Sequence, residues 1–348
     1  MNSSVDIKSL TSAELKEFLA ENGFKPFRAK QALDWLKKGV TTFDEMKNIP
    51  SDLKEFLKTR CYISVAYIEK KLKSRYDKTV KYLFALSGGE YVESVVMSYK
   101  HGWSMCISTQ VGCKMGCTFC ATGKSGFSRD LTASEMLAQI EAAQRDLDIR
   151  ISNVVLMGMG EPLDNFDNVV KFLNLVTSQQ SLNIGARHIT LSTCGIVPKI
   201  YELAKLKLQI NLAVSLHAPN DEIRRQTMPV AKAYPMDMLL KACRDYFEVT
   251  GRRVTFEYAL ISGVNDSDEN AQELAKKLKG LNCHVNLIPV NPVKGTGYNK
   301  SDIKRQQSFT DILTKSGTAA TVRRTLGSDI NASCGQLKRN HINNKEDK

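Results

Sequence analysis

From residue 100 onward, six apolar stretches alternate with helical ones, and this rhythm constrains the fold more than any other feature of the sequence. The stretches are "WSMCIST", "ISNVVLMG", "RHITLST", "LQINLAVSL", "RRVTFEYAL" and "CHVNLIP". Segments such as "TASEMLAQIEAAQRDL" and "NAQELAKKLKGL" separate them, with apolar positions recurring at helical spacing. A strand followed by a crossing helix returns each new strand parallel to the last. The simplest closure is an α/β fold built on a partial (βα)6 barrel of the TIM type, with "AATVRRT" as a strand added later; a doubly wound sheet is the alternative. Either architecture puts its site residues at the C-terminal ends of the strands. At 348 residues and 42% apolar content the chain can fill a sizeable core.

The regions flanking this core read differently. Residues 1–60 form a small helical module: "SLTSAELKEFLAENGF" opens on Ser or Thr caps, lines Leu15, Phe18 and Leu19 along one face and stops near Gly23, and "RAKQALDWLKKG" and "SDLKEFLKTR" repeat the style. Residues 61–100 read as a β extension with a hairpin at "SGGE". The expected division is a helical accessory domain at 1–60, a β extension at 61–100, the barrel at 101–295 and a C-terminal extension at 296–348. No apolar run approaches the roughly 20 residues of a membrane span, and "MNSSVDIKSL" has no signal-peptide core, so a cytoplasmic protein is expected.

In a reducing compartment nine cysteines do not suggest a disulfide framework; clustering would suggest a metal or thiol chemistry. Three of them do cluster. "GCKMGCTFCATG" sets Cys113, Cys117 and Cys120 in one short loop, whereas a closed zinc site or a complete cluster normally takes four ligands. Three thiolates can hold three irons of a [4Fe-4S] cluster and leave one iron open to a small molecule. The alternative is a zinc site completed by a distant His101 or His188. Cys61, Cys194, Cys243 and Cys283 read as small buried apolar residues, while Cys334 sits in a polar segment, "NASCGQL".

Charge suggests the partner. Lys and Arg outnumber Asp and Glu by 49 to 37, a formal charge of +12, and the dense runs "YIEKKLKSRYDKTVK" and "LKRNHINNKEDK" suit a polyanion. Tyr67, Tyr76 and Tyr82 lie among these charges, the pattern of a nucleic-acid surface; solubility alone is the plainer reading.

The spacing C-x3-C-x2-C, with Phe119 before the last Cys, resembles the radical S-adenosylmethionine (SAM) enzymes. The resemblance extends through "CISTQVGC", "LMGMGEPLDNFDNV", "TLSTCG", "AVSLHAPND", "RRVTFEY", "NLIPVNP" and "CGQL", which together resemble the RlmN-type dual-specificity adenine-C2 methyltransferases of 23S rRNA and tRNA. That resemblance implies SAM as the missing ligand of the cluster. It implies SAM contacts at Gly160, Glu161, Ser192, Ser215, Leu216, His217 and Asn291, with Gly158 and Gly160 letting the backbone approach the ligand.

The same resemblance implies a two-cysteine mechanism consuming two SAM molecules per turnover. Carbon 2 of adenine lies between two ring nitrogens and is too electron-poor to attack the SAM methyl. Cys334 is therefore expected to take a methyl from one SAM, and a radical made from a second SAM to remove hydrogen from it. After addition to carbon 2, Glu93 of "YVES" is expected to take the proton and Cys106 to release the product by forming a transient disulfide. Alone, Glu93 would read as a surface carboxylate on a strand. An electron donor such as flavodoxin or ferredoxin and a monomeric enzyme are also implied.

Two alternatives stand beside this reading. A Cfr-type enzyme would methylate carbon 8 of the same adenine; "GMGEPLDN" and "RRVTFEY" favour the carbon-2 group, and Trp103 leans the other way. A non-catalytic RNA-binding metalloprotein is the other. The chain also departs from the family pattern "DIDAACGQL", carrying Asn331 and Ser333 in "DINASCGQL".

Overall fold

A computed structural model of the chain describes residues 4–291, 293 and 295–332. The N-terminal unit contains strand β1 (Val5–Asp6) and helices α1 (Ser12–Glu21), α2 (Phe27–Lys37) and α3 (Ser51–Arg60), and leads into β2 (Cys61–Tyr62), which pairs with β1. Thr11 caps α1 in a capping box with Glu14, satisfying orphan backbone donors at the helix start. This unit has its own core of Ile7, Leu15, Leu19, Ala29, Ala32, Leu36, Leu53 and Leu57. It docks on the barrel through buried polar contacts: Asp6 accepts from Ser134 and Lys8 pairs with Glu141, while Ser64, just after β2, also donates to Asp6 at 2.8 Å.

Three antiparallel strands follow: β3 (Tyr67–Lys73), β4 (Val80–Ala85) and β5 (Tyr91–Tyr99). They join the central sheet directly, because β5 pairs with β6 (Gly102–Cys106). Next come β7 (Gln110–Gly112), α4 (Ala121–Lys124) and β8 (Phe127–Asp130), then α5 (Ala133–Leu147). β9 (Ile151–Leu156), α6 (Phe166–Thr177), β10 (Ile189–Thr193), α7 (Val197–Lys205), β11 (Asn211–Ser215), α8 (Asp221–Thr227), α9 (Met236–Thr250) and β12 (Val254–Leu260) continue the series. It ends with α10 (Asp268–Leu278), β13 (Cys283–Pro289), α11 (Ile303–Lys315) and β14 (Ala319–Val322).

The ten-stranded order is β14-β13-β12-β11-β10-β9-β6-β5-β4-β3. Every pairing from β6 to β14 is parallel, and the order follows the sequence without turning back. A doubly wound sheet reverses its order at a switch point; steady progress in one direction gives the partial barrel. The core lies between this sheet and its helices, with Leu156, Leu191, Leu212, Phe256 and Leu287 all fully or almost fully buried.

Two features had no counterpart in the sequence reading. β7 and β8 form a separate ribbon that brackets the cysteine loop. The segment ending at Asn331 folds back onto the β3–β4 turn, where Asp77 accepts from the Gly327 backbone at 3.0 Å and Asp329 accepts from Ser74 and Arg75, each at 2.8 Å. The departure Asn331 sits at φ 50°, a left-handed conformation that Asn adopts more readily than most residues. Ser333 and Cys334 lie outside the described residues.

A candidate active site at the barrel mouth

The cysteine loop is closed at its base by the ribbon. Cys113 donates its backbone N–H to Gly126 at 2.9 Å, and Gly112, at φ 83°, must be glycine because a Cβ there would lie 1.9 Å from the Gly126 oxygen. Cys113, Cys117 and Cys120 line one cavity together. Burial pushes the Cys113 thiol up to about 12, and burial together with the neighbouring Cys120 and Cys113 raises Cys117 further.

The same cavity takes in Gly160, Glu161, Ser192, Ser215, His217 and Asn291, each from the C-terminal end of a parallel strand or from the residues just past it. Leu216 is buried in the core and contributes no side chain to the cavity wall. His101 stacks on Tyr99 and His188 bonds Asn153 at 2.9 Å; neither lines the cavity, so the alternative zinc site lacks its fourth ligand there.

The glycines of "GMGEP", which line the cavity, are also required by the packing of the chain itself. A Cβ at Gly158 would lie 2.5 Å from the Ile107 oxygen, and one at Gly160, at φ 106°, 2.8 Å from the Gln110 nitrogen. The close approach is therefore to the chain's own loop after β6. Gln110 locks this junction: its Oε1 accepts from the Glu161 N–H, and its Nε2 donates to Asp130 and Asp164, all at 2.8 Å. Glu161 is buried, which raises its pKa, and it accepts from the backbone of Cys194 at 2.7 Å and Leu163 at 3.0 Å.

His217 has φ 56° and a neutral ring. Burial, then the Arg224 charge, lowers it to about 3. Its Nδ1 accepts from the Ala259 N–H at 2.8 Å, which leaves the proton on Nε2, and its ring meets Phe119 of the cysteine loop edge-on at 4.9 Å. Arg224, with no exposure, donates to the carbonyls of Cys194, Leu216, Ser215 and Tyr234.

Next to this cavity is a second one, lined by Val95, Met97, Tyr99, Cys106, Arg324 and Ala332. Met157, Ile288, Asn291 and Arg323 belong to both walls. Ala332, the last described residue before Cys334 in the sequence, therefore shares a wall with Cys106. Glu93 is buried, not on the surface as its isolated reading would have it, and its Oε1 lies 2.9 Å from Lys81 Nζ. It precedes Val95 by two residues on β5 and so points to the same face of the sheet.

Several residues of this site were not singled out in the sequence. Cys194 is buried as expected, yet it also stands in the first cavity's wall. Glu257 and Asn286 face each other across β12 and β13, bonded at 2.9 Å, with Arg323 4.0 Å from Glu257. A charged residue in the middle of an otherwise apolar strand, as in "VTFEYAL" and "VKYLFA", is the signal that would have found Glu257 and Lys81. Arg224 gives no such signal, since an arginine in a short helix is ordinary.

The basic runs are also sorted by the fold. Tyr67 and Tyr76 are exposed, but Tyr82 is fully buried and stacks on Phe84, and Lys71 is paired with Asp146. Among the described residues no helix is long and apolar enough to cross a membrane.

Residues 107–303 match the Radical SAM superfamily, and residues 5–63 match the ribosomal RNA large subunit methyltransferase N-terminal domain. The chain is 56% identical to the probable dual-specificity RNA methyltransferase RlmN of Alkaliphilus oremlandii (strain OhILAs), covering 98% of this chain and 99% of the relative. It is 55% identical to that of Clostridium novyi (strain NT), covering 97% and 99%. The crystal structure of a radical SAM methyltransferase from Sphaerobacter thermophilus superposes with a TM-score of 0.92 at 44% identity, covering 96% of this chain and 99% of that one.

Proposed function

We propose, from the premise that the chain belongs to the RlmN family of radical SAM RNA methyltransferases, that it methylates carbon 2 of a specific adenine in both 23S rRNA and tRNA through an S-methylated Cys334. The observation that carries this reading is the pair of adjoining cavities. One gathers three thiols with the ends of the parallel strands, and the other gathers Cys106 with the segment leading to Cys334.

The residues present suit a [4Fe-4S] cluster. Three thiols on one cavity wall are one short of the four ligands of a closed zinc site, and leave one iron of a cluster open. A single zinc would draw its sulfurs to about 2.3 Å of one point, whereas a cluster takes Cys113, Cys117 and Cys120 on separate irons. Burial raises the Cys113 and Cys117 thiols above the ordinary range, so a bound cation is what would make these two thiolates. When bound, the cluster and SAM supply the one-electron chemistry that removes a hydrogen atom from a sulfur-bound methyl.

The chain's own residues do the rest. Glu161, Ser192, Ser215, His217 and Asn291 surround SAM, with the backbone at Gly160 and Leu216; the Nε2–H of His217 is a donor throughout the neutral range. The Cys334 thiolate displaces a SAM methyl, forming the S–C bond as S-adenosylhomocysteine leaves. Once the carbon bridge to the base has formed, the adduct must lose one electron, for which the cluster, when bound, would be the acceptor, and carbon 2 must lose a proton, which Glu93 accepts. Cys106 sulfur then attacks Cys334 sulfur: the S–S bond forms, the S–C bond breaks, the freed carbon takes a proton to become the new methyl, and a dithiol reductant restores both thiols.

Flavodoxin or ferredoxin is the proposed electron donor, the enzyme acts as a monomer in the cytoplasm, and the helical unit at 1–60 helps hold RNA. Mass spectrometry of both RNAs after anaerobic turnover tests the assignment. Methyl on carbon 2 of one adenine in each RNA is expected; methyl on carbon 8 would replace this reading with that of the Cfr-type enzymes.

A further inference from the structure

Lys81 occupies a position where a lysine is costly. It lies within β4, its side chain is only 9% exposed, and a buried ammonium needs partners to offset its lost hydration. It has two. Nζ lies 2.9 Å from Glu93 Oε1, on a side chain that is 2% exposed, and donates to the carbonyl oxygen of Asn331 at 3.1 Å.

The strand register makes this more than a local pair. Lys81 stands opposite Val95 on β5, and Val95 stands opposite Cys106 on β6, so one row crosses the sheet from the ammonium to the resolving thiol. Glu93 is the diagonal neighbour of Lys81 in that row, opposite Leu83. Asn331 is three residues before Cys334, and its carbonyl is presented by a left-handed turn that Asp77 and Asp329 tie to the β3–β4 connection.

We propose that Lys81 is a positioning residue that couples docking of the 327–332 segment, which leads in sequence to Cys334, to the placement of Glu93. Its ammonium fixes the Glu93 carboxylate in place, and its bond to Asn331 ties that placement to the docked 327–332 segment. A buried carboxylate deprived of this partner would turn toward another donor and lose the orientation that aims it at carbon 2. The inference rests on reading Glu93 as the base at that carbon.

The test measures 5′-deoxyadenosine, methylated adenine and covalent protein–RNA adduct in anaerobic turnover of the cluster-loaded full chain. In Lys81→Met, 5′-deoxyadenosine formation should persist while its ratio to methylated adenine rises about tenfold, within what a general base contributes, and adduct should accumulate. Lys81→Arg should bring the ratio back toward that of the wild type. Asp329→Ala, an exposed change that touches neither Lys81 nor Glu93, should raise the same ratio about threefold by loosening the docked segment, if docking weakens by about 0.7 kcal/mol. A ratio unchanged in Lys81→Met, whether activity is normal or falls in step with SAM cleavage, overturns the proposal, as does an unchanged ratio in Asp329→Ala. Glu93→Gln separates the two claims. If it methylates normally, the base assignment falls and this proposal with it; if it is blocked while Lys81→Met keeps the wild-type ratio, only the coupling falls.

Discussion

Arg224 Nη2 donates to the carbonyl oxygen of Cys194 at 2.7 Å from a side chain with no solvent exposure. The same guanidinium reaches the carbonyls of Ser215 and Leu216, so it ties the end of β10 to the end of β11, and the bond to Tyr234 adds the segment before α9. Cys194 in turn gives its N–H to Glu161 beyond the end of β9. Three strand ends are thus fixed relative to one another by backbone groups, before any ligand is bound.

Arg224→Met should therefore destabilise the chain by about 3 kcal/mol or more, since buried carbonyls are deprived of their donors together. SAM affinity should fall as well, because the strand ends around it no longer share a common tie. Urea unfolding and SAM titration measure the two effects; an unchanged unfolding midpoint would show that the clamp contributes nothing.

Ala in place of Cys113, Cys117 or Cys120 should abolish the brown chromophore and SAM cleavage in each case. Iron and sulfide analysis with 5′-deoxyadenosine release checks this, and one fully active Ala variant would exclude the loop as the cluster site.

The order in which the two outlying cysteines act should be visible as a trapped product. Cys106→Ala should still accept a methyl and join to RNA but fail to release it, leaving a nucleotide attached at Cys334. Cys334→Ala and the double variant should accumulate none. Denaturing gels and peptide mass spectrometry read this out; a Cys106→Ala enzyme that turns over normally, free of RNA, would sink the two-cysteine scheme.

His217 gives the folded state a definite acid response. Its folded pKa of about 3 lies below the ordinary His value near 6.5, so the unfolded chain binds more protons between these limits. Stability is fully present above about pH 6.5 and should fall by up to about 1.4 kcal/mol per unit as pH drops toward 3. Denaturation midpoints across this window should show a shallower slope in His217→Asn; an identical slope would place the acid response elsewhere.

The exposed basic residues should separate from the paired one by their salt dependence. Lys70, Arg75 and Lys78 are exposed, whereas Lys71 is held by Asp146 and lies 5.9 Å from the Tyr82 ring centroid. Neutralising the first three should lower the slope of log K for RNA against log salt by about 0.7 to 0.9 for each phosphate they would otherwise neutralise. Lys71→Ala should leave that slope unchanged, and a large change there would mean that its pairing opens on RNA.

The barrel was legible because its signal is local and repeated. Each strand announces itself by a run of apolar residues and the helices by their spacing, helped in places by a cap such as Thr132 with Glu135 in the first turn of α5. The β7–β8 ribbon was not legible, because three or four residues carry no periodicity, and the ribbon exists only through its pairing across the cysteine loop.

By itself the sequence determined the alternation of strands and helices and the triplet of thiols, since chain spacing and residue chemistry suffice for both; the strand-end residues that share a cavity were named only through the resemblance to a family, because each alone reads as an ordinary loop residue. Only the tertiary structure decided which polar residues are buried together. Lys81 and Glu93, Glu257 and Asn286, and Arg224 with its four carbonyls are paired by strand register and helix packing across 8 to 30 residues of chain, and the cost of burying a charge is met only once those partners have been brought together.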